Sequence, residues 1–129
     1  MTTTERLVDV GASQDVPERG RLVVEITTGT GAVTLGVFRF GGRLYAWENR
    51  CAHQGGPACQ GRIVHRVTER LDDEQRSLGL RFDEDTMHVV CPWHGFEYDV
   101  VTGRHPGRPD LALRAFEVSE EGGRIRVAV

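Results

Sequence analysis

Two short motifs in the chain each pair one cysteine with one histidine. The first reads Cys51-Ala52-His53, and the second reads Cys91-Pro92-Trp93-His94-Gly95. Thiolate sulfur and imidazole nitrogen are the ligands that proteins offer to zinc and to iron–sulfur clusters. Each motif can therefore supply one sulfur and one nitrogen to a metal centre. The candidate ligands are Cys51, His53, Cys91 and His94.

Two kinds of centre accept two sulfurs and two nitrogens. Mononuclear zinc is one, but zinc fingers usually group the cysteines in one half of the site and the histidines in the other. A binuclear iron–sulfur cluster can take two cysteines on one iron and two histidines on the other. Because both halves of this site are mixed, the spacing favours one [2Fe-2S] cluster per chain and leaves zinc as the alternative.

The paired boxes resemble the Rieske family of [2Fe-2S] proteins, which also has proline after the second cysteine and glycine after the second histidine. The resemblance extends from about residue 20 to residue 129, with Tyr45-Ala46-Trp47 before the first box and Val100-Val101-Thr102-Gly103 after the second. It implies that the four candidate ligands hold the cluster. It also implies that His53 and His94 lie on the surface-facing iron, and that a third loop, 105–109, closes over the cluster.

Five positions near the boxes bear on the cluster's surroundings. High-potential members of the family join an extra cysteine in each ligand loop, but Gly56 and Trp93 stand at the matching places here. Cys59 is therefore expected to be a free structural thiol. Tyr98 matches a tyrosine that bonds a ligand sulfur in that branch, whereas Phe96 replaces a serine, so the resemblance implies a potential in the lower half of the Rieske range.

The two boxes are separated by 37 residues, from Gln54 to Val90, which is more than in compact members of the family. The excess lies at about 65–86. Leu78, Leu80 and Phe82 alternate with polar or small residues and favour an extra β-hairpin, although Val67, Leu71 and Leu78 could also mark a helix. If 61–64 and 87–90 pair as strands, this hairpin points away from the ligand loops. The acidic groups 72–74 and 83–85 are expected to form solvated turns.

The rest of the chain predicts an all-β fold, a Rieske-like antiparallel sandwich or barrel with a small cluster-binding subdomain. Period-two alternation predicts a strand at 22–27, and Gly41-Gly42 predicts a hairpin turn between strands at 33–40 and 43–47. Further strands are predicted at 7–10, 113–118 and 124–129, with a turn at 120–123. The 129 residues fit one domain, 1–129.

Composition excludes several functional classes. A formal net charge of −3 argues against a nucleic-acid partner, and there is neither a secretory signal nor an apolar run long enough to span a bilayer. Three cysteines without a disulfide pattern favour the cytoplasm.

The sequence predicts an electron carrier that catalyses nothing alone, since it has neither a nucleotide-binding fingerprint nor room for a second catalytic domain. The resemblance implies the ferredoxin component of an oxygenase system, between a flavoprotein reductase and a terminal oxygenase. Two alternatives are a small subunit of a larger reductase, such as nitrite reductase, and a zinc-binding or redox-sensing interaction module.

Overall fold

The computed structural model of the chain describes residues 7–29, 31–50, 56–71, 73–92 and 95–129. Their regular structure is β-strand with two short 3₁₀ turns, Ser13–Asp15 and Ala58–Gln60. The strands are β1 (Leu7–Ala12), β2 (Arg21–Thr28), β3 (Gly31–Phe40), β4 (Arg43–Glu48), β5 (Arg62–Leu71), β6 (Ser77–Val90), β7 (Glu97–Asp99), β8 (Arg104–His105), β9 (Arg108–Ala112), β10 (Ala115–Phe116), β11 (Val118–Glu121) and β12 (Arg124–Ala128).

The strands form antiparallel sheets in the orders β1-β12-β11, β10-β4-β3-β2, β5-β6-β7 and β8-β9. This confirms the all-β prediction. No helix in these described ranges is both long and apolar enough to cross a bilayer.

The sheet β10-β4-β3-β2 lies between two apolar cores. Successive side chains of a strand point to opposite faces, so Leu35 and Val37 of β3 enter one core while Phe38 enters the other. In β4, Ala46 and Trp47 divide in the same way. Burial on both faces explains why 33–40 has apolar residues at both odd and even positions. Below, the core that contains Phe38, Trp47, Cys59 and Cys91 is called the loop core, because both ligand loops begin or end on it.

The predicted insertion is a hairpin, as expected. Arg62, Ile63 and Val64 pair with Val90, Val89 and His88. After a register shift the ladder resumes at Arg66 opposite Asp83 and ends at Leu71 opposite Ser77. The turn of the hairpin therefore lies at the end of β5 that is far from Cys91. The helical alternative for this segment was wrong.

Three other local predictions were wrong. The single strand predicted at 113–118 is divided at Glu117, because β10 pairs with β4 while β11 pairs with β12 in a different sheet. The turn predicted at 120–123 is shorter, since Glu120 and Glu121 continue β11 and only Gly122-Gly123 turn, with φ values of 59° and 76°. The acidic residues 83–85 lie within β6, where Asp83 pairs with Arg66.

Candidate metal centre

The second cysteine–histidine box begins at the end of β6. Cys91 directly follows this strand and is fully buried in the loop core. Its N–H donates a hydrogen bond of 2.6 Å to the carbonyl of Phe96. The β6–β7 ladder ends at the neighbouring pair, Val90 with Glu97. The box is therefore a hairpin loop whose ends are joined by backbone hydrogen bonds, and Gly95 takes a left-handed conformation within it (φ 68°).

The first box lies in the loop between β4 and the 3₁₀ turn Ala58–Gln60. Of the four predicted ligands, the structure places Cys91, whereas Cys51, His53 and His94 lie outside the described residues. Trp93 lies outside them as well. The described residues on both sides of the first box are Asn49 and Arg50 before it and Gly56 and Pro57 after it.

The end of the first loop meets the start of the second. Arg62 pairs with Val90, and a Cβ built on Gly61 would lie only 1.5 Å from the carbonyl oxygen of Val90. A glycine is therefore required where the backbone of the first loop's exit passes the residue before Cys91. Close packing therefore joins the described residues that follow the first box to those that begin the second, and this end of the molecule is called the ligand-loop end below.

Cys59 lies on the 3₁₀ turn at this junction. It is a free thiol with no exposed surface, as the sequence predicted. Burial is the main cause that raises its thiol pKa from 9.0 to about 12. Its Sγ lies 3.6 Å from the carbonyl oxygen of Trp47 and 3.7 Å from that of Glu48. A thiol held in this way is a poor nucleophile and a poor metal ligand, because both roles require the thiolate.

Three histidines lie outside the two boxes: His65, His88 and His105. His88 is buried, with Nδ1 2.5 Å from Oε1 of Glu97 and Nε2 3.7 Å from Oδ2 of Asp99. It therefore ties β6 to β7, the two strands that carry the second loop. The side chain of His65 lies outside the described part of the structure.

His105 belongs to the third predicted loop, which is a hairpin formed by β8 and β9. Its Nδ1 accepts hydrogen bonds from the N–H groups of Gly107 and Arg108. Its ring centroid lies 5.1 Å from that of Phe96 and 6.4 Å from that of Tyr98. The third hairpin thus packs against the second ligand loop. Whether it closes over the cluster stays a prediction.

Tyr98 is fully buried in the loop core on β7. Phe96 is partly buried and packs against the same core. The ring of Phe96 contacts that of His105, and its backbone carbonyl accepts the hydrogen bond from the N–H of Cys91.

The described residues fit an iron–sulfur cluster. One cysteine of the donor set is fully buried in an apolar core, and the described exit of the first loop, Gly61 and Arg62, packs against Val90, the residue before it. An apolar surrounding for a cysteine ligand is the kind of environment that tunes cluster potentials. Two side-chain contacts also support the loops: the hydrogen bond from the N–H of Cys59 to Oδ1 of Asn49, and the His88–Glu97 contact. Sequence reasoning missed both, since their partners lie ten and nine positions away along the chain.

Comparison with known proteins supports a [2Fe-2S] centre. A family model described as the Rieske [2Fe-2S] domain matches residues 6–117. The chain is 29% identical over 99 residues to ferredoxin CarAc of Metapseudomonas resinovorans, which covers 76% of this chain and 73% of that protein.

Two solved structures are similar over nearly the full chain. One is a chain from the complex of reduced oxygenase and oxidized ferredoxin in carbazole 1,9a-dioxygenase. That comparison gives 27% identity and a TM-score of 0.64, with coverage of 95% of this chain and 92% of that one. The other is described as an NADH-dependent nitrite reductase small subunit from Mycobacterium tuberculosis. It is 17% identical, with a TM-score of 0.67 and coverage of 98% of this chain and 97% of that one.

Proposed function

The chain belongs to the Rieske [2Fe-2S] domain family, and on that premise we propose that it carries single electrons as the ferredoxin component of an oxygenase system. One observation carries this proposal. The relatives that are 29% and 27% identical to the chain are a ferredoxin and a chain of an oxygenase–ferredoxin complex, and both are covered over most of their length. The proposed partners are a flavoprotein reductase, which donates the electron, and a terminal oxygenase, which accepts it.

The family cofactor is one [2Fe-2S] cluster, which supplies one-electron chemistry when bound. We propose that Cys51 and Cys91 hold one iron through their sulfurs and that His53 and His94 hold the other through ring nitrogens. Because Cys91 is fully buried, the protein around it would shield its sulfur from water. In this proposal the chain itself catalyses no reaction and its 129 residues act as one domain. We propose a cytoplasmic location, supported by the free, buried thiol of Cys59.

The nitrite reductase small subunit supports the second candidate, a subunit held permanently in a larger reductase. At 17% identity that likeness shows the fold alone. Size-exclusion chromatography of a native extract separates the two candidates. A free carrier should elute near its mass of 14.4 kDa, whereas a subunit should elute with its complex, and the second result would refute the ferredoxin proposal.

The proposed docking face is the ligand-loop end, because an electron must pass close to the cluster. Arg108 lies there on the third hairpin, exposed and ion-paired with Asp110 at 2.8 Å. Arg76 is similarly exposed on the turn of the β5–β6 hairpin. The ten residues of β5 place this turn roughly 30 Å from the ligand-loop end. The same substitution at both places therefore gives a matched pair, Arg108→Glu and Arg76→Glu.

The experiment is stopped-flow oxidation of the reduced protein by the terminal oxygenase from the same organism. Arg108→Glu should slow the transfer and weaken its dependence on salt, while Arg76→Glu should leave both as in the wild type. Both variants should keep the visible spectrum of the cluster. Slower transfer with Arg76→Glu and normal transfer with Arg108→Glu would show that the docking face is wrong.

A further inference from the structure

The two ligand loops differ in how their ends are held. The second loop connects β6 to β7, which are neighbours in one sheet, so the backbone ladder and the Cys91–Phe96 hydrogen bond close it. The first loop connects β4 to β5, which belong to different sheets. In the part of the chain that the structure describes, no backbone–backbone hydrogen bond joins residues 43–50 to residues 56–61. Contacts other than a backbone hydrogen-bond ladder must therefore set the distance between the ends of the first loop.

Side chains make that connection. Oδ1 of Asn49, two residues before Cys51, accepts a hydrogen bond of 2.8 Å from the N–H of Cys59. The backbone of Asn49 is itself fixed to β3, because its N–H donates to the carbonyl of Thr34 at 2.8 Å. From the other side, the sulfur of Cys59 reaches the carbonyls of Trp47 and Glu48 at the end of β4. The entrance and the exit of the loop are thus joined by Asn49 and Cys59, which together are called the loop clasp.

The loop clasp packs against β3 and is hydrogen-bonded to β2. A Cβ on Gly36 of β3 would lie 2.5 Å from the Cβ of Cys59, so only glycine leaves room for Cys59 there. Arg21 of β2 donates hydrogen bonds to the carbonyls of Cys59, at 3.1 Å, and Gly61. The N–H, the carbonyl and the sulfur of Cys59 are therefore all held by groups on β2, β4 or Asn49.

We propose that Asn49 is a positioning residue: through Cys59 it sets the spacing of the first ligand loop's ends and so holds Cys51 and His53 at the cluster. This inference rests on the proposed ligand set. It also assigns a role to Cys59 that requires no redox or metal chemistry of its thiol.

The test compares the purified holoprotein with three variants. Asn49→Ala removes the acceptor, whereas Asn49→Asp keeps an oxygen at the same position and should rescue. Glu18→Ala is the matched control, because Glu18 accepts hydrogen bonds from the N–H groups of Gly41 and Gly42 at the opposite end of β4. Hydrogen exchange in peptides covering 56–61 and 91–97, the rate of cluster loss under chelator, and the EPR spectrum of the reduced protein are measured.

Asn49→Ala should speed exchange in 56–61 and cluster loss by about tenfold each, the effect of losing one buried hydrogen bond. Exchange in 91–97 should stay as in the wild type, and the EPR spectrum should shift or broaden. Asn49→Asp and Glu18→Ala should resemble the wild type in cluster lifetime. If Asn49→Ala does not accumulate, Cys59→Ala, which removes the sulfur contacts, should show the same changes on a smaller scale.

Unchanged exchange in 56–61 would overturn the inference, and so would equal acceleration in both peptides, which would indicate general destabilisation. Faster exchange in 56–61 with a normal cluster lifetime and EPR spectrum would also overturn it. A wild-type protein without a Rieske-type EPR signal would instead refute the proposed function, while the exchange comparison would still decide whether Asn49 closes the loop.

Discussion

Gly36→Ala should destabilise the protein by forcing β3 and the 3₁₀ turn Ala58–Gln60 apart. The added methyl group would lie 2.5 Å from the Cβ of Cys59, 2.8 Å from its Sγ and 3.1 Å from a ring carbon of Phe38. All these atoms are buried, and Cys59 and Phe38 have no exposed surface. The methyl group therefore has no free space to enter, and the turn must move.

The magnitude follows from two contributions. Inserting a methyl group into a packed core costs about 1–3 kcal/mol. If the turn moves far enough to lose the Asn49–Cys59 hydrogen bond, roughly another 1 kcal/mol is lost. The total of about 2–4 kcal/mol is a large part of the roughly 5–15 kcal/mol by which folded domains are stable. For a chain of this length it should lower Tm by about 5–15 °C.

The assay is thermal unfolding of the holoprotein followed by circular dichroism, with Gly29→Ala as the matched control. A Cβ on Gly29 would meet no atom within 4 Å, so this variant should stay within about 0.5 kcal/mol of the wild type. Cys59→Gly introduced into the Gly36→Ala variant should recover part of the loss, because it removes the two nearest atoms. Equal Tm values for Gly36→Ala and Gly29→Ala would refute the proposed packing of Cys59.

Three further predictions concern the thiol, the inserted hairpin and the potential. Because the pKa of Cys59 is about 12 in the fold against 9.0 in the unfolded chain, the unfolded chain loses this proton first. The free energy of unfolding should therefore fall as pH rises from about 9 to about 12; Cys59→Ala should weaken this fall, and an identical pH profile would contradict the assignment. Replacing residues 65–86 by a short glycine-containing turn should leave the visible spectrum unchanged, and loss of the cluster from a folded deletion variant would show that the hairpin supports the ligand loops. The midpoint potential should lie in the lower half of the roughly −150 to +300 mV Rieske range; Phe96→Ser should raise it if the new hydroxyl reaches a sulfur, and a wild-type midpoint near the upper limit would show that the cluster's surroundings differ from those described.

Local patterns predicted the elements whose signals are local. Gly41-Gly42 marks the β3–β4 turn because both residues need positive φ, and they have values of 62° and 78°. The alternation of apolar with polar or small residues in 78–82 predicted the extra hairpin, because the period of two that marks a strand is visible within the strand itself. Donor chemistry and spacing were enough to propose the four ligands, and the family match agrees with the centre that they imply.

The features that sequence reasoning missed depend on pairing across the chain. The acidic run 83–85 reads as a turn until β5 supplies Arg66 opposite Asp83. Glu117 separates two strands because their partners, β4 and β12, lie in different sheets. The clasp between Asn49 and Cys59 has no periodic signal at all, because its geometry depends on the space left by Gly36.

Pulsed EPR of the reduced protein labelled with ¹⁵N-histidine tests the proposed ligand set most directly. The account predicts a Rieske-type signal with couplings to two histidine nitrogens, and it predicts that both His53→Ala and His94→Ala abolish this signal. His88→Ala and His105→Ala should keep both couplings, since His88 faces Glu97 and Asp99 and His105 packs on Phe96. A signal without histidine coupling, or one that survives in His53→Ala or His94→Ala, would contradict the account.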